Sequence, residues 1–437
     1  MTNRRSALVA KSVALAAAMA TAGTMLAACG SGGSSGSADG KTTIRLVWWG
    51  NDARAAATQK AVQQFEQANP KIKVETEFSD YGSYVQKLTT QVAANAAPDI
   101  IQLDRPTFGE YVSKHVLANM QSYVDSKKLD LSKVDAGLLS GEQYDGDQYA
   151  VPAGQTTQMF VYNADAFQKA GIADPANGWT WQQFEDDLAK LKKSTGKAGV
   201  TDLGWAIDWF DTWLHQRGKS VYTTDGKLGF TTDDLTQFWT YTDGLRKAGL
   251  ATPAEVTTKQ DGSTATSALI SGDAAIEENY DSNLAGYIAA TKTHLKAAPL
   301  PTDTPGAETS GLAALPPVYF GIPASSKKKD AAIKLLNFLV NDTQAGATLG
   351  TSRGVPPNTA IREQVCGSAA PADKQTCAYE QQVASNVGPS KTWAWPMGSS
   401  AVKADFQKVY DTVVFGKASP AQAAAQLVSD AKDSIEQ

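Results

Sequence analysis

The sequence predicts an α/β protein divided into two lobes. Three observations carry that reading. From Thr42 onward, β-branched and aromatic runs alternate with stretches of helical periodicity, the pattern of a sheet covered by helices. The chain left after an N-terminal leader is removed exceeds one ordinary domain and calls for two cores. Proline-marked segments at Val151-Pro152, Ile322-Pro323 and Val355-Pro356-Pro357 carry the chain between the halves.

The leader comes first. Arg4, Arg5 and Lys11 precede an uncharged run from Ser12 to Ala28, rich in alanine and leucine, which is the order of a secretory signal. The run is too short and too weakly apolar for a stable membrane span. Leu26-Ala27-Ala28-Cys29 resembles the bacterial lipoprotein signal. That resemblance implies cleavage of residues 1–28 and lipidation of Cys29, and two or more acyl chains give lasting attachment. Arg4-Arg5 also fits twin-arginine export, yet Ser6-Ala7 supplies no aromatic, so both export routes stay open. Residues 29–41 read as a Gly/Ser tether, its Gly30–Gly40 stretch reaching roughly 15 to 20 Å by random-coil scaling. Gly32-Gly33-Ser34-Ser35-Gly36 matches G-x-S-x-G only formally, for no strand or helix flanks it.

Removing residues 1–28 leaves 409 of 437 residues and moves the formal charge from −5 to −8. An acidic body is no footprint for nucleic acid. With 19% charged and 42% hydrophobic residues the chain has a globular composition. Ten tryptophans and fourteen tyrosines exceed what packing needs and hint at aromatic platforms. With Cys29 assigned to lipid, Cys366 and Cys377 remain as an even pair outside the cytosol, predicting a disulfide across a short surface loop.

Order begins with the strand Thr42–Trp49, which ends in Gly50-Asn51-Asp52. Ala61, Val62, Phe65 and Ala68 mark a helix stopped by Asn69-Pro70. Ile72, Val74, Thr76 and Phe78 alternate as a strand, Tyr84, Val85, Leu88 and Val92 mark a helix, and Pro98–Leu103 reads as a third strand. Such alternation predicts a parallel sheet. Ligands of such sheets sit beyond the carboxyl ends of the strands, here the loops Trp48–Asp52, Asp80–Tyr84 and Asp104–Thr107. In the second half, Gln158–Asn163 reads as a strand, Trp181–Lys193 as a helix, and Ile333, Leu336, Leu339 and Val340 define another helix.

Val47-Trp48-Trp49-Gly50, Phe65-Glu66-Gln67-Ala68-Asn69-Pro70, Ala97-Pro98-Asp99-Ile100-Ile101 and Tyr149-Ala150-Val151-Pro152, in this order, resemble the extracellular solute-binding proteins of ABC sugar importers. Ser271-Gly272-Asp273-Ala274-Ala275-Ile276, Phe320-Gly321-Ile322-Pro323 and Ser419-Pro420 with its alanine-rich tail continue the match. The resemblance implies a two-lobed fold of the maltose-binding-protein-like, type II class, closing about a hinge on a sugar or oligosaccharide. The implied lobes are residues 42–153 with 320–352, and 154–319 with 353–437. The implied partners are the transmembrane subunits of an ABC permease, and the implied place is the outer face of the cell membrane, with the protein a monomer. No cofactor or metal is expected: His115, His215 and His294 are scattered, and no H-E-x-x-H is present.

A sugar needs flat rings for its C–H faces and fixed polar groups for its hydroxyls. In the first lobe the candidates are Asn51, Asp52 and Asp104 as acceptors, with Trp48 and Tyr81 as rings. Asp104 reads equally as a helix cap, Trp48 as strand packing, Tyr81 as a turn residue. In the second lobe Tyr280 is the candidate platform, flanked by Asn279 and Asp281; Trp205, Asp208 and Trp209 form a further set. Trp393 and Trp395 sit where the resemblance implies sugar-facing aromatics, with anchoring of their loop as the other reading. Thr156 and Arg353 lie at crossings, Arg353 reading also as half of a salt bridge. The rival reading of an exported glycoside hydrolase needs two carboxylates at a defined separation. The adjacent pairs Glu277-Glu278, Asp186-Asp187 and Asp233-Asp234 read mostly as helical charge faces. A lipid-anchored sensor or adhesin on the same fold would present a similar site.

Overall fold

The computed structural model describes residues 40–303, 311–384, 387 and 394–435; Cys29, Trp393 and the leader lie outside them. The first half opens as strand, helix, strand, helix, strand. β1 (Thr42–Trp49), α1 (Asp52–Ala68), β2 (Ile72–Ser79), α2 (Tyr81–Ala93), β3 (Ile100–Leu103) and α3 (Arg105–Ser113) follow one another with tight connections. Each strand gives way to its helix through a side-chain cap: Asn51 accepts from Arg54 N, Asp80 from Ser83 N and Asp104 from Thr107 N. These caps satisfy otherwise orphaned amides and concentrate short polar side chains at one sheet edge. α1 stops because Asn69 precedes Pro70 and leaves the helical region, at φ −134° and ψ 66°.

The remaining strands are β4 (Gln143–Tyr144), β5 (Asp147–Gln148), β6 (Ala150–Pro152), β7 (Gln158–Asn163), β8 (Ala198–Val200), β9 (Ala274–Tyr280), β10 (Leu295–Ala298) and β11 (Tyr319–Gly321). A five-stranded sheet runs β2-β1-β3-β11-β6 and a four-stranded sheet runs β10-β7-β9-β8. β1 is parallel to β2 and β3, as the alternation predicts, but β11 returns from the second half antiparallel to β3 and β6. The first sheet is therefore mixed rather than purely parallel.

That sheet is covered on both faces. Ile44, Leu46, Trp48 and Phe65 pack with Ile333 and Leu336 of the helix Lys329–Asn341 on one face; Val47, Ile101, Phe108 and Tyr319 fill the other. The second lobe has a single large core around β7 and β9, rich in rings such as Phe160, Phe184, Phe210 and Trp239. Each such side chain contributes about 1.5 to 3 kcal/mol on burial.

Three crossing segments meet between the sheets. Gln155 and Val355 exchange backbone hydrogen bonds of 2.7 and 2.9 Å, and Thr156 and Leu315 exchange bonds of 2.8 and 2.9 Å. The segments lie so close that only glycine fits at two points. A Cβ at Gly154 would stand 1.8 Å from the Arg353 carbonyl oxygen, and one at Gly354, with φ +78°, would stand 1.9 Å from that of Gln155. Cys366 and Cys377 are joined in a disulfide linking the helices Thr359–Gly367 and Pro371–Val383 just beyond this junction.

Candidate functional site

The carboxyl edge of the first sheet faces the second lobe. Tyr81, the first residue of α2, is 46% exposed and donates its hydroxyl to Asp104 Oδ2 at 2.7 Å. Asp104 is also the helix cap of its other reading, for its second oxygen caps α3. Trp49 sets its ring edge-on to Tyr81, with centroids 5.4 Å apart. Next to Asp104, Arg105 reaches across the gap to within 3.6 Å of Asp211 Oδ2, and its guanidinium lies over the Trp395 ring at 5.0 Å.

The second lobe answers with the helix Ile207–His215 and the end of β9. Tyr280 sits half-buried with its ring 6.1 Å from that of Trp209. Asp208 is 3.6 Å from Lys403 Nζ. Asp208 and Asp211 share one face because they are three residues apart on the helix.

Electrostatics tie the two sides together. Burial raises the Tyr81 hydroxyl above its ordinary pKa, and Asp104 and then Asp208 of the opposite lobe push it further. Asp208 raises the Lys403 ammonium, against burial and with help from Asp104. Burial opposes the charge of Arg105, yet Tyr319, Asp211, Tyr280 and Asp208 outweigh it and its pKa rises. The result is a gap lined by Tyr81, Asp104 and Arg105 on one side and by Asp208, Asp211, Tyr280 and Lys403 on the other. Such a set offers donors, acceptors and ring faces to a polyhydroxylated solute. Among the described residues no cluster of His, Cys, Asp and Glu is arranged to hold a metal ion.

Several sequence candidates go elsewhere. Trp48 is fully buried and stacks on Phe78 at 5.9 Å, so its ring belongs to the core. Asn279 is buried and spends its amide on the Gly262 carbonyl, the Tyr287 hydroxyl, Tyr280 N and Asn283. Asp281 is fully buried at the crossings, where it accepts from the Thr156 hydroxyl and from Thr157 N. Thr156 is therefore a strut between crossings and not a ligand donor. Arg353 is 4% exposed and turns into the first lobe toward Gln102 and Thr58; no carboxylate pairs with it among the described residues. Trp395 is buried against Tyr222, and its backbone oxygen would lie 1.8 Å from a Cβ at Gly109 of α3. It anchors the lobes to each other. Trp205 is part-buried and donates its indole N–H to Glu278 at 2.6 Å. Asn51 and Asp52 remain exposed at the mouth, where a Cβ added at Gly286 of the second lobe would stand 3.9 Å from Asn51 Nδ2.

Arg105, Asp211 and Lys403 were not among the sequence candidates. Arg105 falls inside the loop Asp104–Thr107, so position alone could have drawn attention to it. Lys403 shows only a lysine on an amphipathic helix, and its neighbours come from another part of the chain. The acidic pair Glu277-Glu278 lies in β9 and not on a helix. Glu277 accepts from Ser267 and Tyr287, and Glu278 from Thr201 and Trp205. An open groove of about 840 Å³ at the amino ends of β1 and β2, rimmed by Lys41, Lys71 and Lys327, brings together none of the site residues.

Two α/β lobes joined by clustered crossings, with a polar and aromatic gap between them, define the periplasmic-binding-protein class of fold. The chain belongs to the bacterial extracellular solute-binding proteins, whose family profile matches residues 49–346. It is 26% identical over 443 residues to a diacetylchitobiose binding protein of Streptomyces coelicolor, covering 94% of this chain and 96% of that one. It is 25% identical to a putative binding protein of Brucella abortus, where the match spans 40% of this chain and only 42% of the relative's length. Among solved structures, a family 1 extracellular solute-binding protein of Alicyclobacillus acidocaldarius is 30% identical, with a TM-score of 0.68 over 91% of this chain and 99% of that one. A periplasmic oligogalacturonide binding protein of Yersinia enterocolitica is 20% identical and shares the fold, with a TM-score of 0.78 over 91% of this chain and 99% of that one.

Proposed function

We propose that this protein is a lipid-anchored receptor that takes a sugar or oligosaccharide between its lobes and delivers it to an ABC permease. The observation that carries this reading is the opposed lining of the gap. Tyr280, backed by the buried Trp209, offers a ring on one side, while the Tyr81–Asp104 pair and Arg105 offer oriented polar groups on the other. The lobes are taken as residues 42–153 with 320–352 and residues 154–319 with 353–437, the molecule acting as a monomer. The diacetylchitobiose-binding relative supports a saccharide as the solute. Cys29 would hold the body to the outer face of the membrane. Metabolic labelling with an alkynyl fatty acid should mark the wild-type chain, and Cys29→Ala should lose the mark; a labelled Cys29→Ala chain would refute the anchor.

A binding role without turnover fits the acidic pairs. Glu277 and Glu278 are consumed by internal hydrogen bonds, Asp187 pairs with Lys190, and Asp234 caps its own helix.

The family reading implies an affinity of about −8 kcal/mol or better. Calorimetry of the mature protein against a panel of oligosaccharides should find it. Tyr280→Ala and Asp104→Ala should each weaken binding tenfold or more, about 1.4 kcal/mol. Binding of amino acids or peptides, with silence from every saccharide, would overturn the assignment.

A further inference from the structure

Where α1 meets the crossing segment 352–354, two arginines lie with no acid to balance them among the described residues. Arg54 stands in the first turn of α1 and folds back over Gly50, the first residue after β1, where an added Cβ would meet its Cδ at 2.7 Å. Its Nε donates to the Ser352 carbonyl at 2.8 Å. Arg353, one residue beyond Ser352, donates Nε to Gln102 Oε1 at 3.2 Å and one terminal nitrogen to the Thr58 hydroxyl at 2.9 Å. Its other terminal nitrogen is buried with no partner. Neither guanidinium forms an ion pair among the described residues; Asp52, in the same helical turn as Arg54, is exposed and pairs with neither.

Two cations held side by side by neutral acceptors are an unusual use of buried charge. Burial and mutual repulsion both work against them: burial lowers Arg54 to about 10, and burial and then Arg54 lower Arg353 well below its ordinary value. Arg105 and Arg246 instead meet carboxylates, Arg105 with Asp211 and Arg246 with Asp202 and Asp243, while the single Arg362 is held by the Pro356 carbonyl and Gln155. The amino end of α1 adds positive potential at the same point. The missing partner of such a pair is an anion that accepts from planar donor forks.

We propose that Arg54 and Arg353 form an anion subsite at the hinge end of the gap, so that the solute is an acidic saccharide carrying a carboxylate or a phosphate. This rests on the saccharide reading and narrows it. The anionic group lies against the two guanidiniums, and the sugar rings extend toward Tyr81 and Tyr280.

Calorimetry on the mature protein tests it with matched pairs: galacturonobiose against galactobiose, and sn-glycerol 3-phosphate against glycerol. At least one anionic member should bind tenfold or more tighter than its neutral match, and which one does so distinguishes carboxylate from phosphate. Arg54→Gln should cut the anionic preference at least tenfold, while Arg54→Lys, which keeps the charge, should retain part of it. Thermal melts of both variants report whether they fold. Equal affinity within each pair, or an anionic preference untouched in a folded Arg54→Gln protein, would overturn the subsite. Tight binding of neutral saccharides alone would sink the subsite and leave the saccharide reading standing, whereas no binding of any saccharide would sink that reading itself.

Discussion

The gap and the hinge both bury charge, and they arrange it in opposite ways. In the gap, opposite signs meet: Arg105 with Asp211 across the lobes, and Lys403 with Asp208 on the second lobe's side. At the hinge, like charges lie together. Asp281 and Glu380 share one buried node, where burial and then Glu380 push Asp281 well above its ordinary pKa; Arg54 and Arg353 share another. Paired charges of the first kind can trade partners with a solute as the lobes move. The Asp281 node is fixed from far along the chain, as Thr156 and Asp281 are at a separation of 125, whereas the arginine pair keeps a buried guanidinium nitrogen without a partner. The difference separates groups whose charge is answered within the chain from a pair whose charge is not.

The largest effect should come from the hinge backbone. Gly354→Ala must accommodate φ +78° and a Cβ 1.9 Å from the Gln155 oxygen, at a cost of about 3 kcal/mol or more. A drop of ten degrees or so in melting temperature is expected. A melt within two degrees of wild type would show that the crossings slide freely and that the hinge is not the fixed region described.

Next comes pH. Glu278 is fully enclosed, and burial, partly relieved by Thr201 and then worsened by Glu277, holds its carboxyl up to about 8. A carboxyl with a raised folded pKa keeps its proton in the native state while the unfolded chain has lost it. Its contribution is therefore present in mild acid and drains away as pH rises toward about 8. Between about pH 5.5 and 7.5 this amounts to roughly 2 to 3 kcal/mol. Urea melts across that range should show wild-type stability falling with pH and Glu278→Gln flattening the slope; parallel slopes would assign the proton elsewhere. Asp281 acts in the same direction.

The disulfide is of comparable or smaller weight. With a sequence separation of 11, removing it by Cys366→Ser and Cys377→Ser should cost roughly 2 to 3 kcal/mol on the chain-entropy model. Because the bridge joins the helices beside the crossings, ligand affinity in the gap should stay within a factor of two. A large loss of affinity without loss of stability would make the hinge node and the gap a single unit.

How much of this was readable from the sequence follows from the same contrast. The strands and helices of the first lobe are encoded locally, by periodicity and by Asn51, Asp80, Asp104 and Pro70, so their order and the loops at the sheet edge could be read directly. The positions of Asp104 and Tyr280 at the sheet edges followed, Asp104 just after β3 and Tyr280 closing β9. Which way a side chain turns at a crossing is not local. Arg353 was read as facing the solute or a carboxylate, yet its partner Gln102 lies 251 residues away. Asn279 and Asp281 flank the candidate platform in sequence, but strand alternation and the arrival of Thr156 turn them inward. Trp48 and Trp49 are neighbours with opposite fates for the simplest reason: successive residues on a strand face opposite sides.

The smallest prediction bears on the gap itself. Arg105 is a charged link between the lobes, but a single pair with part-exposed ends and one cation–π contact is worth only about 1 kcal/mol. Arg105→Gln should thus leave the melting temperature nearly unchanged while shifting the unliganded protein toward an open form, seen as a larger radius of gyration in solution scattering. Saturating solute should restore the compact value, because contacts made by the solute replace the lost link. If scattering does not change, the lobes are held instead by the close approach of Gly109 to the Trp395 backbone, and that contact would then belong with the fixed hinge rather than with the exchangeable gap. Gly109→Ala, which places a methyl 1.8 Å from the Trp395 oxygen, separates the two: it should force the lobes apart whether or not Arg105 is present.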